Sequence, residues 1–415
     1  MKRRDVDIAV IGAGPAGLAA ALEAERLGVK RVLLLERDRD LGGILQQCIH
    51  DGFGIHRFGK RLSGGQYAQN FIDQLAGSSV EVLTDTMALE LSPDRRIFAC
   101  SGNHGVLEIR CGAVILAMGC RERTAPQVLI YGDRPAGVLT AGAVQRYINM
   151  EGYLPGKRAV ILGSGDIGLI MARRMTLEGI EVQGVYEVMS SPGGLTRNIV
   201  QCLEDFNIPL HLSHTVTRLR GRKRLEAVTV AAVDGNRNPI PGTETEIPCD
   251  LLALAVGLIP ENELSLQAGI EIDSRTRGPA LDSAFMTSVP GIFAAGNVAA
   301  VFDLVDYVSL SAEIAARGAA AWLGGELSAP GWDPVNAGEN VNFVVPQRVR
   351  REAGAGERVF FLRVKRPQKA GVLVCSGPEG VALTKRCRYA APPEMIRFET
   401  GARGPLLAAM RGEEA

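Results

Sequence analysis

The 415-residue chain has no excess of either charge: Lys plus Arg number 46 and Asp plus Glu number 46. Without a global field, nothing draws it to nucleic acid or to anionic lipid. It also lacks long hydrophobic runs. The longest, near 114–118 and 251–259, fall far short of the roughly 20 apolar residues that span a bilayer. Eight cysteines, at 48, 100, 111, 120, 202, 249, 375 and 387, form no C-x-x-C. They offer no four-ligand grouping at zinc or iron–sulfur spacing, so no metal is expected. Their scatter suits small core residues in a reducing compartment, which makes the cytoplasm the expected location. The opening MKRRDVDIAVIGAGPAG places basic residues before an apolar run. Asp5 and Asp7 interrupt that run, which predicts a first β-strand and not a signal peptide.

What is present is ample core material. Hydrophobic residues make up 46% of the chain and charged residues 22%, ordinary values for a chain that suits two or three domains at this length. The N-terminal third reads strand (7–11), glycine turn (12–17), alanine-rich helix (18–27) and strand (31–35), a βαβ unit with a parallel sheet implied. The same order returns at 158–162, 163–168, 169–178 and 181–186. Between the two units lie a glycine-rich loop (41–65) and strands at 80–83, 96–99, 106–110 and 113–118. Beyond the second come strands at 209–211, 227–233 and 251–255, then TSVPGIFAAGNV and a long helix at about 308–323. A turn-rich stretch, 324–340, reads as a linker. Short alternating strands, 341–345 and 359–364 among them, predict a small β-rich domain after it.

The first fingerprint is Gly12-Ala13-Gly14-Pro15-Ala16-Gly17. Gly12 permits a tight turn, Gly14 lets backbone approach a pyrophosphate, and Gly17 lets helix and strand pack closely. The following helix then points unpaired N–H groups and its positive dipole end at the phosphates. Glu36 ends the next strand, where a carboxylate accepts from the hydroxyls of an adenosine ribose. The second fingerprint is Gly163-Ser164-Gly165-Asp166-Ile167-Gly168, closed by Glu187. A carboxylate at 187 repels a 2′-phosphate and predicts NAD(H) over NADP(H). A glycine turn without a ligand is the alternative for each, and the strand–turn–helix context with its acidic residue argues against it twice.

GAGPAG with Glu36, the Gly42-Gly43 pair, the strand AVILAMG and TSVPGIFAAGNV occur in one order. Together they resemble the pyridine nucleotide–disulfide oxidoreductase superfamily, nearest its thioredoxin-reductase-like branch, over about residues 5–325. The resemblance implies an α/β chain of two Rossmann-like dinucleotide-binding domains of the three-layer ββα type, the second inserted in the first. It places an FAD-binding domain at 1–125 and 250–330, an NAD(P)-binding domain at 126–249, and the small C-terminal domain at 335–415. The cofactors implied are FAD and NAD(H). FAD would lie on Gly12, Gly14, Pro15, Ala16, Gly17, Glu36, Arg37, Gly42, Gly43, Ala117, Met118, Gly119, Gly296, Asn297, Val308 and Ser309. NAD would lie on Gly163, Gly165, Asp166, Ile167, Gly168, Glu187 and Gly257. Gly296 and the helix from about 308 would sit beside the flavin.

Two departures stand out. The superfamily's redox dithiol is absent, since neither C-x-x-C nor C-x-x-x-x-C occurs, and the late Gly-Asp reads Gly296-Asn297. The segments GGILQQCIHDGFGIHRF and DLVDYVSLSAE, with the short β-rich tail, resemble a dithiol-free subfamily of FAD subunits in multi-subunit dehydrogenases. Those subunits are encoded beside a glycerol-3-phosphate-dehydrogenase-like flavoprotein and a small cysteine-containing protein. The flavin subunits of opine oxidase and hydrogen cyanide synthase are related. The resemblance implies hydride transfer between nicotinamide and FAD, with electrons exchanged with a partner dehydrogenase subunit. Two alternatives stay open: a flavin subunit that oxidises an amine, amino acid or opine itself, and a non-catalytic nucleotide-binding scaffold.

Individual side chains add candidates. Cys48, His50 and His56 sit in the loop after the first ribose motif, as proton donors, substrate anchors or plain loop packing. Cys120 reads as a packed small residue. Arg121 and Arg123 read as phosphate contacts or surface ion pairs. Asp303, Asp306 and Tyr307 precede the expected helix, to orient a ring, bind substrate or cap the helix. Arg348, Arg350, Arg351, Arg358, Arg363, Lys365, Arg366 and Lys369, against Glu352 and Glu357, form either a basic docking face or a solvated strand.

Overall fold

The computed structural model describes residues 1–327, 331–351 and 356–412. The chain forms two compact units, one of Met1–Cys120 with Pro260–Ala415 and one of Arg121–Ile259. In the first, Lys2–Ile11 runs parallel between Val32–Leu35 and Gly105–Leu116. Glu81–Leu83 extends the sheet on one side and Ile292–Ala294 on the other, both parallel. Ile8, Val10, Leu33, Leu34, Val114 and Ile115 are fully buried. Such continuous apolar runs are what a parallel sheet covered on both faces requires.

Two expected strands, 106–110 and 113–118, prove to be one, Gly105–Leu116. Lys2–Ile11 runs parallel along both halves; on the strand's other edge the first half pairs antiparallel with Arg96–Ser101, which pairs in turn with Thr86–Leu91, and the second half pairs parallel with Ile292–Ala294. The apolar pattern lapses at Cys111-Gly112, where the sequence suggests a break. Gly112 instead marks a close approach, since a Cβ there would strike Leu323 and the Asp7 carbonyl. The long helix begins at Val305, not 308, and runs to Leu323. Its small face, Ala312, Ala315, Ala316 and Ala319, is wholly buried and packs against the alanines of Pro15–Arg26. Asp306 and Tyr307 therefore lie in its first turn, a correction to their expected place ahead of it.

The second unit shows why its strands alternate as they do. Arg158–Leu162 lies in an all-parallel five-stranded sheet with Val138–Thr140, Leu251–Leu254, Glu181–Glu187 and Leu210–Leu212. Ala159, Ile161, Leu251 and Ala253 face a helical layer containing Val144, Met171 and Ala172. Val160, Leu162, Leu252 and Leu254 face a second sheet through Val216, Leu219, Val228 and Val230. Period-two alternation thus feeds two cores, giving the layers sheet, sheet, helix. The sequence boundary at 249/250 assigns 251–254 to the first fold. Hydrogen bonding to Arg158–Leu162 places that strand in the second.

The C-terminal strands group with the first unit. Gln368–Gly377 and Gly380–Ala390 form a long hairpin beside Leu406–Gly412. Val341–Val345, Arg358–Val364 and Ile396–Thr400 form a three-stranded sheet. Val344, Phe360, Leu362 and Phe398 on one face of it enter the tail's own core. Phe343, Val345 and Phe361 on the other face join the core of the first unit.

The basic strip at 348–369 is not one face. Arg350 is buried and ion-pairs Asp282 at 2.5 Å. Arg348 is buried over the Trp332 ring, 3.8 Å from its centroid, and pairs with Glu271. Arg358 is buried against the Ala402 carbonyl at 2.8 Å. Lys365, Arg366 and Lys369 are exposed, and Glu352 lies outside the described residues. Three of the eight basic residues of that strip are therefore structural.

Candidate functional site

Each unit carries the same cradle, made from the same stereochemistry. Gly12 and Gly163 have φ of +99° and +102°, and a Cβ on either would strike the carbonyl of Ala117 or Ala255. Gly17 and Gly168 lie against the carbonyls of Gly12 and Gly163, so no side chain fits at either. Gly14 and Gly165 differ from these: a Cβ there would meet nothing within 4 Å. Their bareness opens toward solvent at the N-caps of the helices Pro15–Arg26 and Asp166–Leu177. Steric need within the fold accounts for the outer glycines, and access for something else accounts for the middle one.

Both glutamates are buried at the ends of their strands and hold the glycine turn from below. Glu36 accepts from the Ala13 N–H at 2.7 Å and the Asp38 N–H at 2.9 Å. Glu187 accepts from the Ser164 N–H at 2.9 Å, the Ser164 hydroxyl at 2.7 Å and the Met189 N–H at 2.9 Å. A carboxylate has about four acceptor positions. Glu36 keeps one on each oxygen, whereas the Oε2 of Glu187 is fully engaged.

The first cradle has a second wall. Gly42 donates to the Ala13 carbonyl at 2.8 Å, and a Cβ on Gly43 would lie 3.0 Å from the Cα of Gly14. The second cradle has the same wall, which the sequence reading missed: Gly193-Gly194, at the same interval after Glu187 as Gly42-Gly43 after Glu36. Gly193 donates to the Ser164 hydroxyl at 2.8 Å. Asp166 binds this segment from the helix start, accepting from the Leu195 N–H at 2.9 Å and Asn198 Nδ2 at 2.7 Å. The repeated interval was the available signal.

The other expected residues of the first unit fall as follows. Gly296 is packed between Ala16 and Val308, and its N–H donates to Ser311 Oγ at 2.9 Å. Ser309 is buried and shares a 2.8 Å hydrogen bond with Tyr67, whose phenol burial pushes up well above its ordinary value. Asn297 is partly engaged within the fold: Oδ1 accepts from Phe302 N–H at 3.0 Å and Nδ2 donates to Cys120 Sγ at 3.6 Å, leaving one position on each atom. Ala117 is buried, Met118 is half-buried, and Arg37 is exposed. Gly119 accepts from the Glu261 N–H, and Gly257 in the second unit from Arg123 N–H.

Cys48, His50 and His56 do not converge. Cys48 is buried, its Sγ donates to the Ile44 carbonyl at 3.3 Å, and burial pushes its thiol up to about 12. A thiol so held is no nucleophile near neutral pH. The His50 ring leans on Phe53, and the His56 ring stacks on Tyr307 with centroids 6.3 Å apart. Among the described residues, no three His, Cys, Asp or Glu side chains gather to hold a metal.

Comparison with known proteins adds a family to this geometry. The pyridine nucleotide-disulphide oxidoreductase family matches residues 6–319. The chain belongs to that family. That family is one of oxidoreductases that bind FAD and NAD(P)H. The chain is 29% identical to the hydrogen cyanide synthase subunit HcnB of Pseudomonas protegens, over 63% of this chain and 58% of that protein. It is 26% identical to an opine oxidase subunit of Agrobacterium tumefaciens, over 71% of this chain and 61% of that one. The chain thus spans about three-fifths of each relative. Among solved structures, it is similar to thioredoxin reductase from T. acidophilum: TM-score 0.62 at 24% identity, covering 77% of this chain and 98% of that one. That likeness is one of fold. Among the described residues, no helix is long and apolar enough to cross a membrane.

Proposed function

We propose that this family member is the FAD subunit of a multi-subunit dehydrogenase. In this reading a hydride passes directly between NAD(H) and FAD, and electrons are exchanged with a partner subunit. The observation that carries it is the duplicated cradle: two open glycines at helix N-caps, each closed by a buried glutamate and a second glycine pair. Nothing within the fold requires Gly14 or Gly165 to be bare, whereas a diphosphate at a helix start does.

When bound, the two cofactors supply the redox chemistry, and the protein supplies position and electrostatics. Gly12, Gly14, Pro15, Ala16, Gly17, Gly42 and Gly43 hold the FAD diphosphate, and Glu36 takes ribose hydroxyls on its two remaining acceptor positions. The start of Val305–Leu323, with Gly296, Val308 and Ser309 around it, favours negative charge beside the flavin ring. Gly163, Gly165, Ile167, Gly168 and Gly193 hold the nicotinamide nucleotide, with Asp166 fixing the glycine pair. Glu187 repels a 2′-phosphate, so NADH is preferred over NADPH. No cysteine pair relays electrons, and Cys48 stays a neutral thiol.

The relatives' names, subunits of hydrogen cyanide synthase and of opine oxidase, support a partner that oxidises a small substrate. We place the assembly in the cytoplasm. The test is purification of the chain, identification of the released flavin, and dye reduction with each nucleotide. FAD with NADH preferred at least tenfold in kcat/KM is expected. Equal use of NADPH would remove the role given to Glu187, and no dye reduction with either would remove the nicotinamide step.

A further inference from the structure

The C-terminal strands close over the start of the Val305–Leu323 helix and bring a cation there that the cofactor reading does not use. Phe361 packs on Phe302 at 5.1 Å and on Tyr307 at 5.3 Å between ring centroids. Arg363, two residues on, projects from the same face of the strand. Its Nε is buried without a hydrogen-bond partner, and among the described residues no carboxylate ion-pairs it. Burial lowers its affinity for its proton, and Asp303 is the one carboxylate whose charge opposes that. Asp303 accepts from the Met395 N–H at 3.0 Å through Oδ2, while its Oδ1 is buried and unpartnered. An acceptor and a donor of opposite charge thus face one neighbourhood without meeting. The Tyr307 ring and the stacked His56 ring border it.

A guanidinium whose Nε is buried without an acceptor is left with an unmet donor, and a ligand that brings an anion to it supplies the missing acceptor. We infer that Arg363 and Asp303 form a binding site for a small carboxylate carrying a hydroxyl or N–H on the adjacent carbon. The carboxylate pairs with the Arg363 guanidinium, and the ligand's donor is accepted by Asp303 Oδ1. The site's place beside the flavin rests on the cofactor reading above; its chemistry does not.

The probe is glycolate, with acetate (no donor) and glycolamide (no charge) as controls at matched ionic strength. Binding is read by saturation-transfer NMR and by thermal shift, on the flavin-loaded chain and on the flavin-stripped chain. Glycolate is expected to bind more tightly than either control, and Arg363→Met to weaken it at least about tenfold, the scale of a lost charge-assisted contact. Arg363→Met should melt no lower than the native chain, because it removes a buried N–H that has no acceptor, and Arg363→Lys should restore part of the binding. Glycolate that fails to bind the native chain, or binds Arg363→Met equally, overturns the site. Arg363-dependent binding in a chain that takes up no flavin upholds the site and overturns the cofactor reading.

Discussion

At the scale of single residues, the three glycines of each fingerprint do different work, and substitution separates them. Gly14→Ala meets no neighbouring atom and keeps ordinary backbone angles, φ −70° and ψ −173°. It should lower the stability of the flavin-free chain by about 1 kcal/mol or less, the scale of a changed N-cap. Flavin retention should nevertheless fall severely. Gly17→Ala drives a methyl into the Gly12 carbonyl and should yield little folded protein. Urea unfolding beside flavin content after gel filtration checks both. Equal flavin content in Gly14→Ala and the native chain would mean that the open glycine serves no ligand. Cys48 gives a second residue-scale prediction. Its thiol titrates at 9.0 when unfolded and at about 12 in the fold. The folded state holds that proton more tightly, so the stabilisation is full below pH 9 and is lost as pH rises toward 12. The urea midpoint should fall across that window, and Cys48→Ala should flatten part of the fall.

At the scale of elements, the tail is tied to the first unit by a buried ion pair. Asp282 accepts from Arg350 and from the N–H groups of Ala284 and Met286, although burial still pushes its carboxyl above the ordinary range. Asp282→Ala removes the carboxylate that Arg350 ion-pairs in the core and should cost about 3–5 kcal/mol, read by urea unfolding. A loss below about 1 kcal/mol would show that the pair is not what holds the tail. The elements also show where sequence reading succeeds. The βαβ units were legible because a glycine fingerprint and a flanking glutamate are local chemistry at fixed spacing. The strand Gly105–Leu116 was not, because Gly112 reads as a break and only the approach of Leu323 explains it. The basic tail misled for a related reason. A charge run does not reveal whether Arg350 will find Asp282, nearly 70 residues earlier in the chain. The partners of Asn297 within the fold, Phe302 N–H and Cys120 Sγ, were equally illegible, though they leave one donor and one acceptor position of its amide.

At the scale of the whole molecule, two cradles of one design imply two dinucleotides in one chain, and that duplication is the core of the functional reading. The second glycine pair, Gly193-Gly194, strengthens it, because it extends the match from a six-residue motif to a whole binding wall. The most direct measurement is anaerobic: load the chain with FAD, add one equivalent of NADH, and follow the flavin band near ~450 nm. The account predicts rapid bleaching in the native chain, and none in a Gly165→Ala variant that retains its flavin. A flavin-loaded native chain that stays oxidised under NADH would contradict direct hydride transfer.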